Sequence, residues 1–148
     1  MLKKVKKLVL HCSDSSDSID LGVKEIRQWH TDTPPKGNGW SDIGYHFVIR
    51  RDGRIERGRA ETVQGAHVRG HNEDSIGICW VGRKTASDKQ LMAIKKLLRG
   101  LMDKYELQAY DIYGHTELDS KKTCPNLDMN FVRLQALFTI EGYNVDEL

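Results

Sequence analysis

The chain has 148 residues, of which 39% are apolar and 30% are charged, and its formal net charge is +2. This length supports one well-buried core but not two ordinary domains, so we expect a single domain over residues 1–148. The three cysteines are an odd number in a chain whose start shows no secretion signal. This argues against a disulfide framework and leaves the thiols for burial or metal binding.

A cluster of positive charge precedes the first predicted strand, at Lys3, Lys4, Lys6 and Lys7. This basic lead-in, residues 1–7, is either a solvated approach to the strand or a surface for an anionic polymer or a partner protein. The apolar run that follows, residues 8–10, is too short for the core of a signal peptide or for a membrane span. We therefore expect a chain made in the cytoplasm, with no signal peptide and no contact with a membrane.

The periodicity of apolar residues predicts strands and helices in a mixed order. Strands are predicted over residues 5–12, 43–50, 54–57, 75–81 and 111–113, and Asp52-Gly53 predicts a tight hairpin between the second and third of them. Helices are predicted behind a cap at Asp20, from a capping box formed by Ser87 and Gln90, and over residues 129–138. Residues from about 140 to 148 are expected to form a loose tail.

Side-chain alternation separates neighbouring residues at the end of the first predicted strand. In an extended segment Leu8, Leu10 and Cys12 share one face, whereas Val9 and His11 share the other. His11 and Cys12 therefore cannot bind the same ion. We assign Cys12 to the core as a small buried hydrophobe, and we place His11 in a cleft at the strand end.

The same alternation is expected along the second predicted strand. It places Tyr45, Phe47 and Ile49 on one face and His46, Val48 and Arg50 on the other. On this basis Tyr45 and His46 are not expected to act together.

Three residues that lie far apart in the sequence carry side chains that suit zinc. They are His11, His115 in the segment Gly-His-Thr-Glu, and Cys124 in the segment Lys-Thr-Cys-Pro. Two imidazoles and a thiolate suit Zn²⁺, and three protein ligands leave the fourth tetrahedral position for a water or a substrate oxygen. The wide spacing excludes a compact zinc finger. Taken alone, any one histidine is more often a hydrogen-bonded structural residue than a metal ligand.

Several short segments have an order and separation that are found together in one known family. They are LVLHCS (8–13), EIRQWH (25–30), DIGYHFVI (42–49), RDG (51–53), GAH (65–67), NEDSIGIC (72–79) and KTCP (122–125). Together they resemble the type 2 N-acetylmuramoyl-L-alanine amidases, and within that family the single-domain phage endolysins. The resemblance implies an α/β fold with one central mixed β-sheet flanked by helices, as in the peptidoglycan-recognition proteins, and a zinc site at one edge of the sheet.

The resemblance also implies roles for individual residues. His11, His115 and Cys124 match the family's zinc ligands, with one Zn²⁺ per chain. His67 matches the family's Gly-rich loop, which should border the cleft, and is expected to hydrogen-bond the substrate. Glu117 follows His115 by two residues and could orient a ligand, although this spacing is generic.

Two further residues match catalytic positions of the family, Tyr45 and Lys122. A lysine can offer a cation to the oxyanion that develops during amide hydrolysis, and a phenol can donate a hydrogen bond or relay a proton. Without the resemblance, the residues favour Lys122 as a surface cation beside Lys121 and Tyr45 as a half-buried strand aromatic.

The function implied by the resemblance is hydrolysis of the amide bond between the lactyl group of N-acetylmuramic acid and L-alanine in peptidoglycan. Such an endolysin is expected to be a monomer that binds no nucleic acid directly and reaches the cell wall after the membrane has been permeabilised. Three alternatives stay open: a cytosolic amidase that recycles muropeptides, a non-catalytic peptidoglycan-recognition module, and an additional role as inhibitor of a phage RNA polymerase. The last has the basic lead-in and the similarity to endolysins in its favour.

Overall fold

The computed structural model of the chain describes residues 1–138 and 143–148 and is built around one five-stranded sheet. The strands are β1 (Lys7–Cys12), β2 (Phe47–Ile49), β3 (Ile55–Arg57), β4 (Ser75–Trp80) and β5 (Ile112–Gly114). Their order across the sheet is β3-β2-β4-β1-β5. Only β2 and β3 pair antiparallel, and all other neighbours are parallel. The predicted α/β fold with a central mixed sheet is confirmed.

Four α-helices accompany the sheet in the described residues: α1 (Val23–Thr31), α2 (Asp88–Tyr105), α3 (His115–Leu118) and α4 (Met129–Ala136). Short 3-10 turns cover Asn72–Asp74, Ala109–Asp111 and Val145–Glu147. None of the helices in residues 1–138 and 143–148 is long and apolar enough to span a lipid bilayer.

The sheet is covered on both faces, and the alternation of β1 decides which side chains enter which core. Leu8, Leu10 and Cys12 belong to the larger core, which contains the apolar stripe of α2. The smaller core contains Val48 and Cys79 from the sheet together with Val23 and Ile26 of α1, and other residues of this kind. Strands buried on both faces are typical of parallel sheets. The assignment of Cys12 to the core is confirmed.

The start of α2 follows the predicted capping box. The Ser87 hydroxyl accepts a hydrogen bond from the Gln90 backbone N–H at 3.1 Å, and the Gln90 side-chain oxygen accepts one from the Ser87 backbone N–H at 3.0 Å. Gln90 is fully buried. Its side-chain amide also donates to the carbonyl groups of Ile49 and Val81, so the cap connects α2 to the end of the sheet.

The predicted cap of α1 at Asp20 is wrong. The helix begins after Gly22, and the backbone N–H of Val23 donates to the carboxylate of Glu56 at 2.9 Å. Asp20 instead forms an ion pair with Arg50, also at 2.9 Å. A carboxylate from β3, distant in sequence, replaces the local cap.

The second strand is shorter than predicted, because β2 begins at Phe47. The segment before it leaves the ladder: the N–H of Gly44 donates to His30 Nδ1 at 2.9 Å, and its carbonyl accepts from the N–H of Ala66 at 3.1 Å. The predicted alternation therefore fails at Tyr45, which packs against the smaller core while Phe47 lies in the larger one.

The predicted loose tail is also wrong for residues 143–148. Val145 is buried, its carbonyl accepts a hydrogen bond from Arg57 at 2.7 Å, and Asp146 pairs with Lys104 at 2.5 Å. The remaining part of that prediction, up to residue 142, lies outside the described residues.

Candidate active site

Two of the predicted zinc ligands come from adjacent parallel strands. His11 lies near the end of β1, and His115 directly follows β5, whose Gly114 pairs with Leu10. Because the carboxyl ends of parallel strands meet at one edge of a sheet, the two imidazoles project from neighbouring positions. Their Nδ1 atoms are 3.0 Å apart. The structure thus brings together two donors that are 104 residues apart in sequence.

The third predicted ligand, Cys124, lies at the same edge of the sheet. Its backbone carbonyl accepts a hydrogen bond from Thr116 N–H at 2.8 Å, which fixes this segment against the start of α3. Its thiol contacts the thiol of Cys12, with the two Sγ atoms 2.7 Å apart. Cys124 is thus placed beside the end of β1, where it faces the residue next to His11.

The donor chemistry of this edge fits zinc. Burial lowers the pKa of His11 and the pKa of His115, so both imidazoles are neutral at physiological pH. The contact with Cys12 lowers the pKa of the Cys124 thiol to about 7, while the same contact and burial raise the pKa of Cys12. Neutral imidazoles and a readily ionised thiol are the forms that bind zinc. Within the described part of the chain, however, no three His, Cys, Asp or Glu side chains converge on one point as a complete metal cluster.

His67 lies behind His11. It is only 8% exposed, its Nδ1 is 2.9 Å from Nε2 of His11, and its Nε2 is 3.1 Å from the Ser75 hydroxyl. Both ring nitrogens of His67 therefore have partners inside the protein. Contact between His67 and substrate stays a prediction. The structure adds a direct contact between His67 and His11, one of the predicted zinc ligands.

Of the two predicted catalytic residues, Tyr45 packs against His11. The ring of Tyr45 is 5.1 Å from the ring of His11, centroid to centroid, and burial raises the Tyr45 pKa well above its ordinary value. Lys122 is exposed, two residues before Cys124, and after burial its positive charge is the main factor that lowers the pKa of His115. Burial therefore keeps the proton on the Tyr45 phenol, and the Lys122 side chain lies in solvent. Their action in catalysis stays a prediction.

Other polar residues near the site have structural partners. The carboxylate of Glu117 accepts from Gly114 N–H at 2.8 Å and pairs with Arg133, so it caps α3 and does not orient His115. His46, for which no role was predicted, accepts from Gly77 N–H through Nδ1 at 3.0 Å and donates through Nε2 to the carbonyl of Val63.

Ser75 was not predicted to belong to the site. This first residue of β4 is fully buried and contacts His67. A polar residue at the start of an otherwise apolar strand was the available signal.

The family model for N-acetylmuramoyl-L-alanine amidase matches residues 1–127. The chain belongs to this amidase family. This amidase is 40% identical to the endolysin of Escherichia phage T7 over 130 residues, which cover 82% of the chain and 81% of the relative. It is 34% identical to peptidoglycan-recognition protein SC2 of Drosophila simulans over 123 residues, or 80% of the chain and 64% of that protein.

A solved structure agrees with these similarities. The N-acetylmuramoyl-L-alanine amidase LysC from Clostridium intestinale URNW superimposes with a TM-score of 0.78 at 29% identity, covering 89% of this chain and 85% of LysC. The predicted family and fold are confirmed. The similarities to endolysins and amidases support peptidoglycan amidase activity, with peptidoglycan as the substrate.

Proposed function

We propose that this chain is a zinc-dependent N-acetylmuramoyl-L-alanine amidase that acts as an endolysin. The bond cleaved is the amide between the lactyl group of N-acetylmuramic acid and L-alanine of the stem peptide. The observation that carries the proposal is the pair of imidazole Nδ1 atoms of His11 and His115, 3.0 Å apart at the sheet edge that also holds Cys124. Family membership supplies the substrate class.

His11, His115 and Cys124 would hold one zinc ion per chain. When bound, zinc supplies an activated water and polarises the scissile carbonyl. The two imidazoles are neutral because of burial, so their nitrogen lone pairs are available for binding without loss of a proton. Binding through Cys124 requires its thiolate, which the lowered pKa of about 7 makes accessible near neutral pH.

Tyr45 and Lys122 would act on the charge that develops on the carbonyl oxygen. The raised pKa of Tyr45 keeps its proton on the phenol, so it can donate a hydrogen bond to that oxygen. Lys122 offers a positive charge from the exposed side of the same edge. One such donor is typically worth on the order of 10²- to 10³-fold in turnover.

The location of activity follows from the proposed substrate. An endolysin made in the host cytoplasm would reach peptidoglycan only after the membrane had been permeabilised by another agent. The similarity to a phage T7 endolysin supports this order of events.

A role as inhibitor of phage RNA polymerase stays a separate prediction. Two lysines of the basic lead-in already have partners, since Lys3 pairs with Glu73 and Lys7 with Asp74, each at 2.9 Å. Lys4 and Lys6 are exposed and would be the residues available to a partner protein.

The proposed amidase is tested by combining a metal assay with a peptidoglycan digest. We expect one zinc per chain and new L-alanine amino termini without new reducing sugars. His11→Ala, His115→Ala and Cys124→Ser should lose both zinc and hydrolysis, whereas His71→Ala, a matched histidine control, should keep both. New reducing ends would indicate a glycosidase. Binding of peptidoglycan without its hydrolysis would favour a recognition module. Stoichiometric zinc in all three ligand variants would overturn the assignment of the site.

A further inference from the structure

A chain of hydrogen bonds runs from His11 into the interior of the protein. Nε2 of His11 is 2.9 Å from Nδ1 of His67, Nε2 of His67 is 3.1 Å from the Ser75 hydroxyl, and that hydroxyl is 2.6 Å from the backbone carbonyl of His71. His11, His67 and Ser75 are exposed by only 1%, 8% and 0%. This chain of hydrogen bonds is therefore shielded from water along its length.

The last acceptor, the backbone carbonyl of His71, fixes the direction of every hydrogen bond in this series. A carbonyl oxygen can only accept, so the Ser75 hydroxyl donates its single hydrogen to His71. The Ser75 oxygen must then accept from Nε2–H of His67. A neutral imidazole carries one N–H, so Nδ1 of His67 has a lone pair and accepts from Nε2–H of His11. This leaves the lone pair of His11 on Nδ1.

Both imidazoles in the chain are neutral. A buried charged group needs a counter-ion, and within the described residues the hydrogen-bond partners of the His67 ring are an imidazole and a hydroxyl. His46, the other nearby histidine, has its own partners at Gly77 and Val63 and does not compete for His67.

We propose that His67 and Ser75 are positioning residues that hold His11 in the tautomer with its Nδ1 lone pair directed at His115. The inference rests on the proposed function, because the partner proposed for this lone pair is a metal ion. Histidine ligands in metal sites typically donate their second ring N–H to an outer partner that fixes the tautomer and the orientation of the ring. Here that partner is a neutral imidazole, so the outer contact adds no negative charge to the site.

The position of His67 is itself fixed by the fold. Its ring lies against the bare backbone of β4, where a Cβ atom added at Gly77 would be 2.5 Å from Cγ of His67. The backbone N–H groups of His67 and Val68 both donate to the side-chain oxygen of Asn72 at 2.9 Å. The ring thus packs against a glycine of the sheet, and the Asn72 side chain holds the backbone of the loop that carries the ring.

The first test needs no variant. In the metal-free full-length protein, long-range ¹H–¹⁵N correlation spectra of the imidazoles should show a protonated Nε2 and an unprotonated Nδ1 for both His11 and His67. A proton on Nδ1 of His11 would overturn the inference. A tautomer as expected, in a protein that fails to bind zinc, would instead refute the proposed function and leave the inference standing.

Two variants then test the consequence for binding. His67→Phe keeps the ring volume but removes both nitrogens. Ser75→Ala removes the hydroxyl group that sets the direction of the hydrogen bonds. In the folded variants we expect mixed tautomers of His11 and a zinc affinity lowered about 10- to 100-fold, the usual effect of losing an outer partner. His71→Ala keeps the accepting carbonyl and should leave both readouts unchanged. A single Nε2–H tautomer and unchanged affinity in folded Ser75→Ala and His67→Phe would overturn the inference.

Discussion

The ring of Tyr45 packs 5.1 Å from the ring of His11, centroid to centroid, with the two planes inclined by 52°. Replacement of Tyr45 by Phe keeps this packing and removes only the hydroxyl. We expect Tyr45→Phe to bind zinc normally and to hydrolyse peptidoglycan about 100-fold more slowly, because one donor to the developing oxyanion is lost. Turnover is measured by release of L-alanine amino termini. Tyr110→Phe, at a residue that is 70% exposed, is the control. Near-normal turnover would return Tyr45 to a packing role.

Lys122 and Lys121 are adjacent exposed lysines, and only the first is expected to act in hydrolysis. Lys122→Ala should reduce turnover about 100-fold while zinc content stays at one per chain, since a cation near the oxyanion is removed and no ligand is touched. Lys121→Ala should have almost no effect. Equal losses in both variants would show that general surface charge, and not a specific role of Lys122, supports the reaction.

Gln90 is expected to contribute more to stability than any surface residue of α2. Its amide donates to two buried carbonyl groups, at 3.2 Å and 2.8 Å, and its oxygen accepts from Arg51 at 2.9 Å. Gln90→Ala leaves these groups unsatisfied and should lower the free energy of unfolding by about 2 to 3 kcal/mol. Urea denaturation measures the change. Lys89→Ala, on the exposed side of the same turn, should cost less than about 0.5 kcal/mol.

Glu61 should make stability depend on pH in the acid range. Burial raises the pKa of its carboxyl group, but hydrogen bonds from Lys104, Tyr105 and Arg57 outweigh burial and bring the pKa below the ordinary value of 4.5. A lowered folded-state pKa means that the carboxylate stabilises the fold above pH 4.5, and that this contribution is lost as the pH falls through the folded-state pKa.

Wild type and Glu61→Gln can therefore be compared by denaturation at several pH values. The variant should be less stable at pH 7, and the difference should shrink steadily below pH 4.5. A difference that stayed constant down to acid pH would mean that the carboxylate charge does not stabilise the fold.

The sequence predicted features that depend on local pattern. β1 is regular and buried, so simple alternation correctly separated Cys12 from His11. The capping box of α2 involves residues only three apart and was also predicted correctly. The family resemblance, and not local pattern, supplied the pairing of His11 with His115, because the sheet order β4-β1-β5 leaves no local signal.

The predictions that failed depend on contacts from distant segments. Tyr45 changes face because Gly44 bonds to His30 and Ala66, which lie outside the strand pairing. Asp20 loses the cap of α1 to Glu56, a residue of β3. The segment around Val145 docks because Arg57 binds its carbonyl. The residues next to these positions in the sequence do not predict such distant partners.

The central position of β1 between β4 and β5 also determines when the site can exist during protein synthesis. His11 leaves the ribosome early, whereas His115 is made 104 residues later and Cys124 later still. Because strands distant in sequence pair slowly, the β1–β5 contact is among the last that the growing chain can form. A nascent chain that has not been translated beyond Cys124 lacks part of the site. The protein is therefore expected to be inert while it is being made.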